Sequence, residues 1–540
     1  MKLPLVRLVL LFGSLLSAAA AAEGRKTNIV LFLIDDLGWR DIGANGSTYY
    51  QTPNIDRLAR EGVRFTDAYA ACAVCSPTRA AVLTGKYPAR LLLTDWLPNG
   101  RWDPKSRLRS ARFVRSLPLE EITLAEALRE GGYRTASIGK WHLGGEPFSL
   151  PEHHGFDLNI GGNAHGAPGD FSFPYEGNWA IPTTGQRARW NVFADGKPGE
   201  YLTDRLTDEA VKFIRGNRER PFFLYFPHYA VHTPLQAKPE VVAKYERVPE
   251  AQRQGKPVYA AMVESMDDSV GRVMETLREL GLEKDTLVFF SSDNGASGGR
   301  GNAAAAGKAG AAKAKAPAKA PRFPGRSLAG SNGPLRAGKG TTWEGGLRVP
   351  LLVRWPGGIP PGQVVAEPVS LLDVFPTCAR LAGAALPTDR VIDGRDLAPW
   401  FTPGAAPADP HRALVHYFGL QPQAIREGRW KLLLAGIPAP APRPVSLWWE
   451  HQPALFTTQH RVLAAPELYD LAADPGEQVN LAESHPDLVQ RLATRARTFD
   501  AGLQRDRRPL QVVAGPPPPP PGAIRPPAGA SSKESRKAAN

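Results

Sequence analysis

The feature that most constrains this chain is a set of four apolar runs, each leading into polar residues able to do chemistry. Residues 28–34 (NIVLFLI) run into Asp35-Asp36, and 133–138 (YRTASI) into Gly139-Lys140-Trp141-His142. Residues 221–226 (PFFLYF) lead toward His228 and His232, and 286–291 (TLVFFS) into Asp293-Asn294-Gly295. Short continuous apolar runs suit strands covered on both faces. Helical patterns lie between them at 55–60, 124–130, 203–215 and 258–280, and Gly131-Gly132 stops the second. The alternation predicts an α/β fold: a large, mostly parallel sheet flanked by helices. Ligands of such sheets sit beyond the carboxyl ends of the strands, where these polar residues fall.

From about residue 413 the pattern changes. Short strand patterns at 413–418, 424–426, 430–434 and 467–471 precede an amphipathic stretch at 485–499, with Leu488, Leu492 and Phe499 on or near one face. This predicts a smaller C-terminal subdomain (413–503), an antiparallel sheet with a helix packed on it, following a catalytic body over 23–412.

Charge is distributed unevenly along the 540 residues, whose net charge is +13. Seven cations and no acid lie in the Ala/Lys/Gly/Pro insertion at 299–331, and the Pro-rich tail over 504–540 adds three net positive charges from Gly515 onward. Lys2 and Arg7 open the chain, so the body itself is near neutral. Such a chain has two basic low-complexity additions rather than a nucleic-acid-binding face. Lys2 and Arg7, the apolar run 8–16 and the alanines ending at Ala22 form the pattern of a secretory signal peptide over 1–22. That run is too short to span a bilayer. The expectation is an exported, periplasmic or extracellular protein with no stable membrane insertion. Asn45-Gly46-Ser47 is a glycosylation sequon, usable only in a host that glycosylates.

Asp35, Asp36, Asp293 and Asn294 offer three carboxylates and an amide oxygen at two strand ends. An all-oxygen set suits Ca²⁺, or less well Mg²⁺, rather than Zn²⁺. Either pair alone could equally cap a helix or fill a turn. Between them in sequence lies Cys75-Ser76-Pro77-Thr78-Arg79, followed by AAVLTGK. Pro77 suits a first helical turn, which puts Cys75 at a helix N-terminus favourable to anions, with Arg79 one turn on. The chain has two other cysteines, Cys72 and Cys378. A Cys72–Cys75 disulfide or redox pair is the competing reading, and Cys378 sits in an apolar stretch as a small core residue.

These residues resemble the sulfatase family. CSPTRAAVLTGKYP is similar to the sulfatase signature, and GYRTASIGKWHLG (132–144) to its second signature. IDDLG, SSDNG and PLRAGKGTTWEGGLRVP (334–350) resemble further sulfatase segments in the family's order, the likeness covering 28–503. The resemblance implies that Cys75 is converted to formylglycine by a separate maturation enzyme. It implies that Asp35, Asp36, Asp293 and Asn294 hold Ca²⁺ together with Cys75 as a fifth ligand, and that Arg79 steadies both the ion site and residue 75. Lys140 and Lys339 would grip the sulfate, His142 would hydrogen-bond the formylglycine hydrate, and His232 would face the leaving oxygen. His232 is preferred to His228 because Val-His-Thr-Pro matches the family's His-x-Pro pattern. The substrate implied is a sulfated small molecule or glycan, more readily a carbohydrate. Asp95, Trp96, His153 and His154 are further candidates for the substrate pocket. Two other functions compete: a phosphatase or phosphodiesterase of the alkaline-phosphatase-like superfamily, which typically uses serine or threonine, and a silent binder of sulfated glycans.

Overall fold

The computed structural model describes residues 26–97, 116–180, 187–190, 195–297, 330–402, 412–435 and 465–507, together with 114, 193, 405, 409 and 463. The expected leader over 1–22, nearly all of the insertion and nearly all of the tail lie outside the described residues.

The strands are β1 (Asn28–Ile34), β2 (Val63–Tyr69), β3 (Arg134–Ile138), β4 (Leu158–Ile160), β5 (Gly177–Ala180), β6 (Arg187–Trp190), β7 (Phe222–Pro227), β8 (Thr286–Ser292), β9 (Arg348–Arg354), β10 (Gln363–Val365) and β11 (Val369–Ser370). Nine of them form one sheet among the described residues, in the order β10-β2-β9-β8-β1-β7-β3-β4, with β11 beside β2. Only β9 runs against its neighbours; every other pairing in this sheet is parallel.

β1 shows why its sequence makes a central strand. All seven residues are buried between β7 and β8. Side chains alternate across a strand, so Val30, Phe32 and Ile34 enter one core while Ile29, Leu31 and Leu33 enter another. The first core is closed by helices Pro53–Glu61, Leu202–Gly216 and Pro257–Glu279, the second by Cys75–Thr84, Leu124–Glu130 and Val374–Leu381. Burying one such side chain contributes about 1.5–3 kcal/mol of transfer free energy. Cys378 lies fully buried in the second core.

β9 carries Pro350, a residue that cannot donate to a ladder. It falls where β2 has two residues, Thr66 and Asp67, between the Phe65–Leu351 and Ala68–Val349 pairs. The proline therefore sits at a bulge, and its carbonyl accepts from Ser291 Oγ at 2.7 Å.

The C-terminal part holds β12 (Ala413–Phe418), β13 (Gln421–Glu427), β14 (Trp430–Leu433) and β15 (Glu467–Asp470), an antiparallel sheet in sequence order. Helix Pro486–Arg505 covers it through Leu492, Ala496 and Leu503. Among the described residues no helix is long and apolar enough to cross a membrane. Asn45 of the sequon is buried, its Nδ2 donating to the Trp39 carbonyl at 2.7 Å, so as folded it is not an accessible acceptor.

Candidate active site

Ile34 of β1 pairs with Ser292 of β8, so Asp35-Asp36 and Asp293-Asn294 leave neighbouring strands side by side. The Asp36 amide donates to Asp293 Oδ1 at 3.2 Å. Asp36 has φ 61°, a left-handed conformation that aspartate accepts more readily than most residues. Its carboxylate takes hydrogen bonds from Asn294 Nδ2 at 2.7 Å, Lys339 Nζ at 2.5 Å and Ser297 Oγ at 2.5 Å.

Helix Cys75–Thr84 is buried along all ten residues and ends at Gly85, whose φ of 67° suits a glycine cap. Thr78 Oγ1 donates to the Cys72 carbonyl at 2.8 Å and accepts the Cys72 amide at 3.1 Å, which pins the chain entering the helix. Cys75 Sγ then lies 3.3 Å from Lys339 Nζ and 3.7 Å from Asp35 Oδ1. Cys72, Cys75 and Cys378 are all free and buried. Arg79 reaches Asp293 Oδ2 through Nε at 2.9 Å and Nη2 at 2.7 Å, and donates Nη1 to the Lys140 carbonyl at 3.1 Å.

Lys140 is delivered by the turn after β3. Its amide donates to the Pro227 carbonyl at 2.7 Å, and its Nζ to Asp35 Oδ2 at 2.7 Å. The preceding Gly139 has φ 120°, and a Cβ there would stand 2.0 Å from the Pro227 oxygen. Only glycine lets the two backbones approach this closely.

Three carboxylates (Asp35, Asp36, Asp293) thus meet three cations (Arg79, Lys140, Lys339) in a buried pocket. Burial works against the Asp36 charge, but Lys339 and His232 prevail and hold the carboxyl below its usual range. Burial outweighs Lys140 and Lys339 at Cys75 and pushes the thiol up to about 12, so the unmodified sulfur is a weak nucleophile near neutral pH. Single atoms of Asp35, Asp36, Cys75 and His232 lie within 4.8 Å of one another. The buried Asn294 Oδ1 has no donor among the described residues. An unsatisfied amide oxygen beside three carboxylates fits a hard divalent cation.

Residues 27–384 match the family model described as Sulfatase, and 409–515 that described as the C-terminal region of aryl-sulfatase. The chain belongs to the sulfatase family. It is 36% identical to the steryl-sulfatase of Mus musculus, over 90% of this chain and 84% of that one. It is 35% identical to the N-acetylgalactosamine-6-sulfatase of Mus musculus, over 89% and 87%. The crystal structure of Ps i-CgsB in complex with k-i-k-neocarrahexaose matches at 28% identity with a TM-score of 0.64, over 90% of this chain and 94% of that one. The protein is a sulfuric ester hydrolase.

In this sulfatase the expected residues differ in how they meet. Cys75, Arg79, Lys140, Lys339, Asp35, Asp36, Asp293 and Asn294 form one connected cluster. His232 joins it with Nε2 3.7 Å from Asp36 Oδ2, and burial together with Lys339 pushes its pKa down to about 3. His142 binds the Leu97 carbonyl through Nε2 rather than binding Cys75, while its buried Nδ1 has no partner among the described residues. Leu97 is tied to helix Cys75–Thr84 by its amide, 3.0 Å from Ser76 Oγ, so the segment holding Asp95 and Trp96 lies beside that helix. His228 hydrogen-bonds Ser269 Oγ at 2.9 Å in the core, a structural position. His154 is fully buried against Trp141 with Nε2 3.3 Å from Ser149 Oγ, and His153 Nδ1 accepts the Leu150 amide. Those contacts put His154 in the core and His153 in the turn beside it. Ser297 was not anticipated. It lies four residues after Asp293, and its hydroxyl is the signal sequence reasoning passed over.

Proposed function

We propose that this sulfatase, after export and maturation, removes sulfate from a carbohydrate by means of a formylglycine at residue 75. Asp35, Asp36, Asp293 and Asn294 would hold Ca²⁺ beside residue 75, where a divalent cation offsets the repulsion between an anionic ester and its nucleophile. Residue 75, as a hydrated aldehyde, supplies two hydroxyls on one carbon, one to attack sulfur and one to release sulfate. The observation that carries the reading is the approach of Cys75 Sγ to both Lys339 Nζ and Asp35 Oδ1, in a pocket whose fixed charges cancel. A divalent cation added to that balance leaves a positive pocket, complementary to sulfate.

Lys140 and Lys339 bind the sulfate oxygens and stabilise the charge that gathers on them. Arg79 holds Asp293 and the Lys140 carbonyl, fixing both sides of residue 75. The Leu97 carbonyl fixes a proton on His142 Nε2, which leaves Nδ1 as a base for the second hydroxyl. His232, neutral in the free pocket, takes up a proton as the anionic ester enters and gives it to the departing oxygen.

The carbohydrate reading is supported by the named N-acetylgalactosamine-6-sulfatase relatives and by the oligosaccharide bound to Ps i-CgsB. The steryl-sulfatase relatives name another acceptor. Enzyme co-produced with a formylglycine-generating partner should therefore be assayed on defined sulfated sugars, an aryl sulfate and a steryl sulfate. Release of sulfate from a sugar at the highest kcat/KM is expected, abolished by chelation and restored by Ca²⁺. Turnover of only the aryl or steryl ester would overturn the carbohydrate assignment.

A further inference from the structure

The C-terminal sheet sits behind one of the sulfate-gripping lysines. We propose that Lys431, Glu477 and Arg336 are positioning residues for Lys339, which makes the C-terminal subdomain part of the catalytic machinery. The inference rests on the reading that Lys339 grips the sulfate.

Lys339 lies in a loop that closes on itself between β8 and β9. The Gly345 amide donates to the Arg336 carbonyl at 2.8 Å, and the Gly346 amide to the Trp343 carbonyl at 3.0 Å. A Cβ on Gly345 would stand 2.3 Å from the Ala337 oxygen. On its pocket side the loop is held by the Lys339 amide on the Ala296 carbonyl at 2.9 Å, the Gly340 amide on the Ala73 carbonyl at 2.7 Å, and the Asn332 side chain, which accepts the Ala296 amide at 3.0 Å and donates to the Ala337 carbonyl at 3.0 Å. Its other side is gripped by the C-terminal part. Arg336 stacks 3.4 Å from the Trp343 ring centroid and donates to the Glu477 carbonyl at 2.9 Å and to Tyr469 Oη at 3.3 Å. The Glu344 amide donates to Glu477 Oε2 at 2.8 Å.

Lys431 of β14 closes this clamp. Its Nζ lies 3.0 Å from Glu344 Oε1 and 2.8 Å from Glu477 Oε1, with all three side chains fully buried. Glu344 also accepts from Tyr69 Oη of β2 at 2.8 Å, and Arg426 of β13 reaches both Tyr69 Oη and Asp67. Apolar side chains of similar volume would join the two layers at least as stably as buried ions. What the ions add is direction: each fixes its partner at one distance and angle. The segment fixed is the one that presents Lys339 Nζ to Cys75 and Asp36.

A double-mutant cycle tests this on the matured, Ca²⁺-loaded enzyme, with kcat/KM for a chromogenic aryl sulfate as the readout. Lys431→Met and Arg336→Ala are each expected to lower kcat/KM about tenfold, the scale typical of residues that orient a catalytic group. In a Lys339→Ala background the same substitutions should change it less than about twofold, because the group they position is gone. Arg336→Ala removes a partly exposed side chain and leaves the buried ions in place, so it carries the test if Lys431→Met does not fold. Equal losses in both backgrounds, or no loss from a folded Arg336→Ala, would overturn the positioning role alone. Full activity of Lys339→Ala would overturn the role assigned to Lys339 as well.

Discussion

Cys75 is an uncharged group packed among six charges, and the formylglycine proposed for it has to work in that setting. Burial keeps its thiol protonated, and the adjacent lysines are committed to Asp35 and Asp36. A residue offering two hydroxyls on one carbon can accept sulfate and then expel it, whereas a serine hydroxyl can only accept it. Cys75→Ser is therefore expected to lower multiple turnover by about 10³-fold or more, the scale on which enzymes lose activity without their covalent nucleophile. Intact-protein mass spectrometry after incubation with an aryl sulfate should find sulfate retained on the variant. Wild-type turnover by this variant would refute the cycle.

The elements bring these residues together through close backbone approaches. Gly139→Ala would force a Cβ against the Pro227 carbonyl at a φ that side chains rarely adopt, and would disturb the hydrogen bond that seats Lys140. A loss of about 1–3 kcal/mol of stability is expected from the backbone strain alone, read by urea unfolding, with a larger fractional loss of kcat. Unchanged stability would mean that the turn relaxes freely. The four apolar runs made most of this architecture legible: β1, β3, β7 and β8 lie within two residues of where the sequence puts them, and their polar followers converge. β2 and β9 were not legible. β2 places the polar Arg64 and Thr66, both only partly buried, among its apolar residues, and Pro350 disguises β9 because its place at a bulge depends on a partner nearly 300 residues away. Lys339 was reachable only through resemblance, since no periodicity links it to Cys75. The clamp of Lys431, Glu344 and Glu477 was invisible for a similar reason, because charges in a short strand, a short helix and a loop read as solvated until those elements are packed.

Across the whole molecule, burial of neutral histidines contributes to the response to acid. Burial pushes His154 and His416 down to about 3 and His228 to about 4, from an ordinary 6.5. The folded values lie below the unfolded one, so this stability is fully present above pH 6.5 and is lost as pH falls toward 4. Each histidine then contributes a slope of about 1.4 kcal/mol per pH unit. His154→Gln should flatten the fall of Tm between pH 6 and pH 4, and an unchanged slope would contradict its burial as a neutral ring. The basic insertion is flanked by described residues close to the pocket: Ser297 before it touches Asp36, and the amide of Ser331 at its end donates to Asp41. If it draws a polyanionic substrate to the pocket, deleting 303–320 should weaken the salt dependence of KM on a sulfated polymer, and an unchanged dependence would dismiss that role. The central claim, that residue 75 works as formylglycine, is tested most directly by mass spectrometry of the tryptic peptide bearing it, taken from fully active enzyme. An aldehyde or its hydrate at residue 75 is the expected result; an intact thiol there in enzyme of undiminished activity would contradict it.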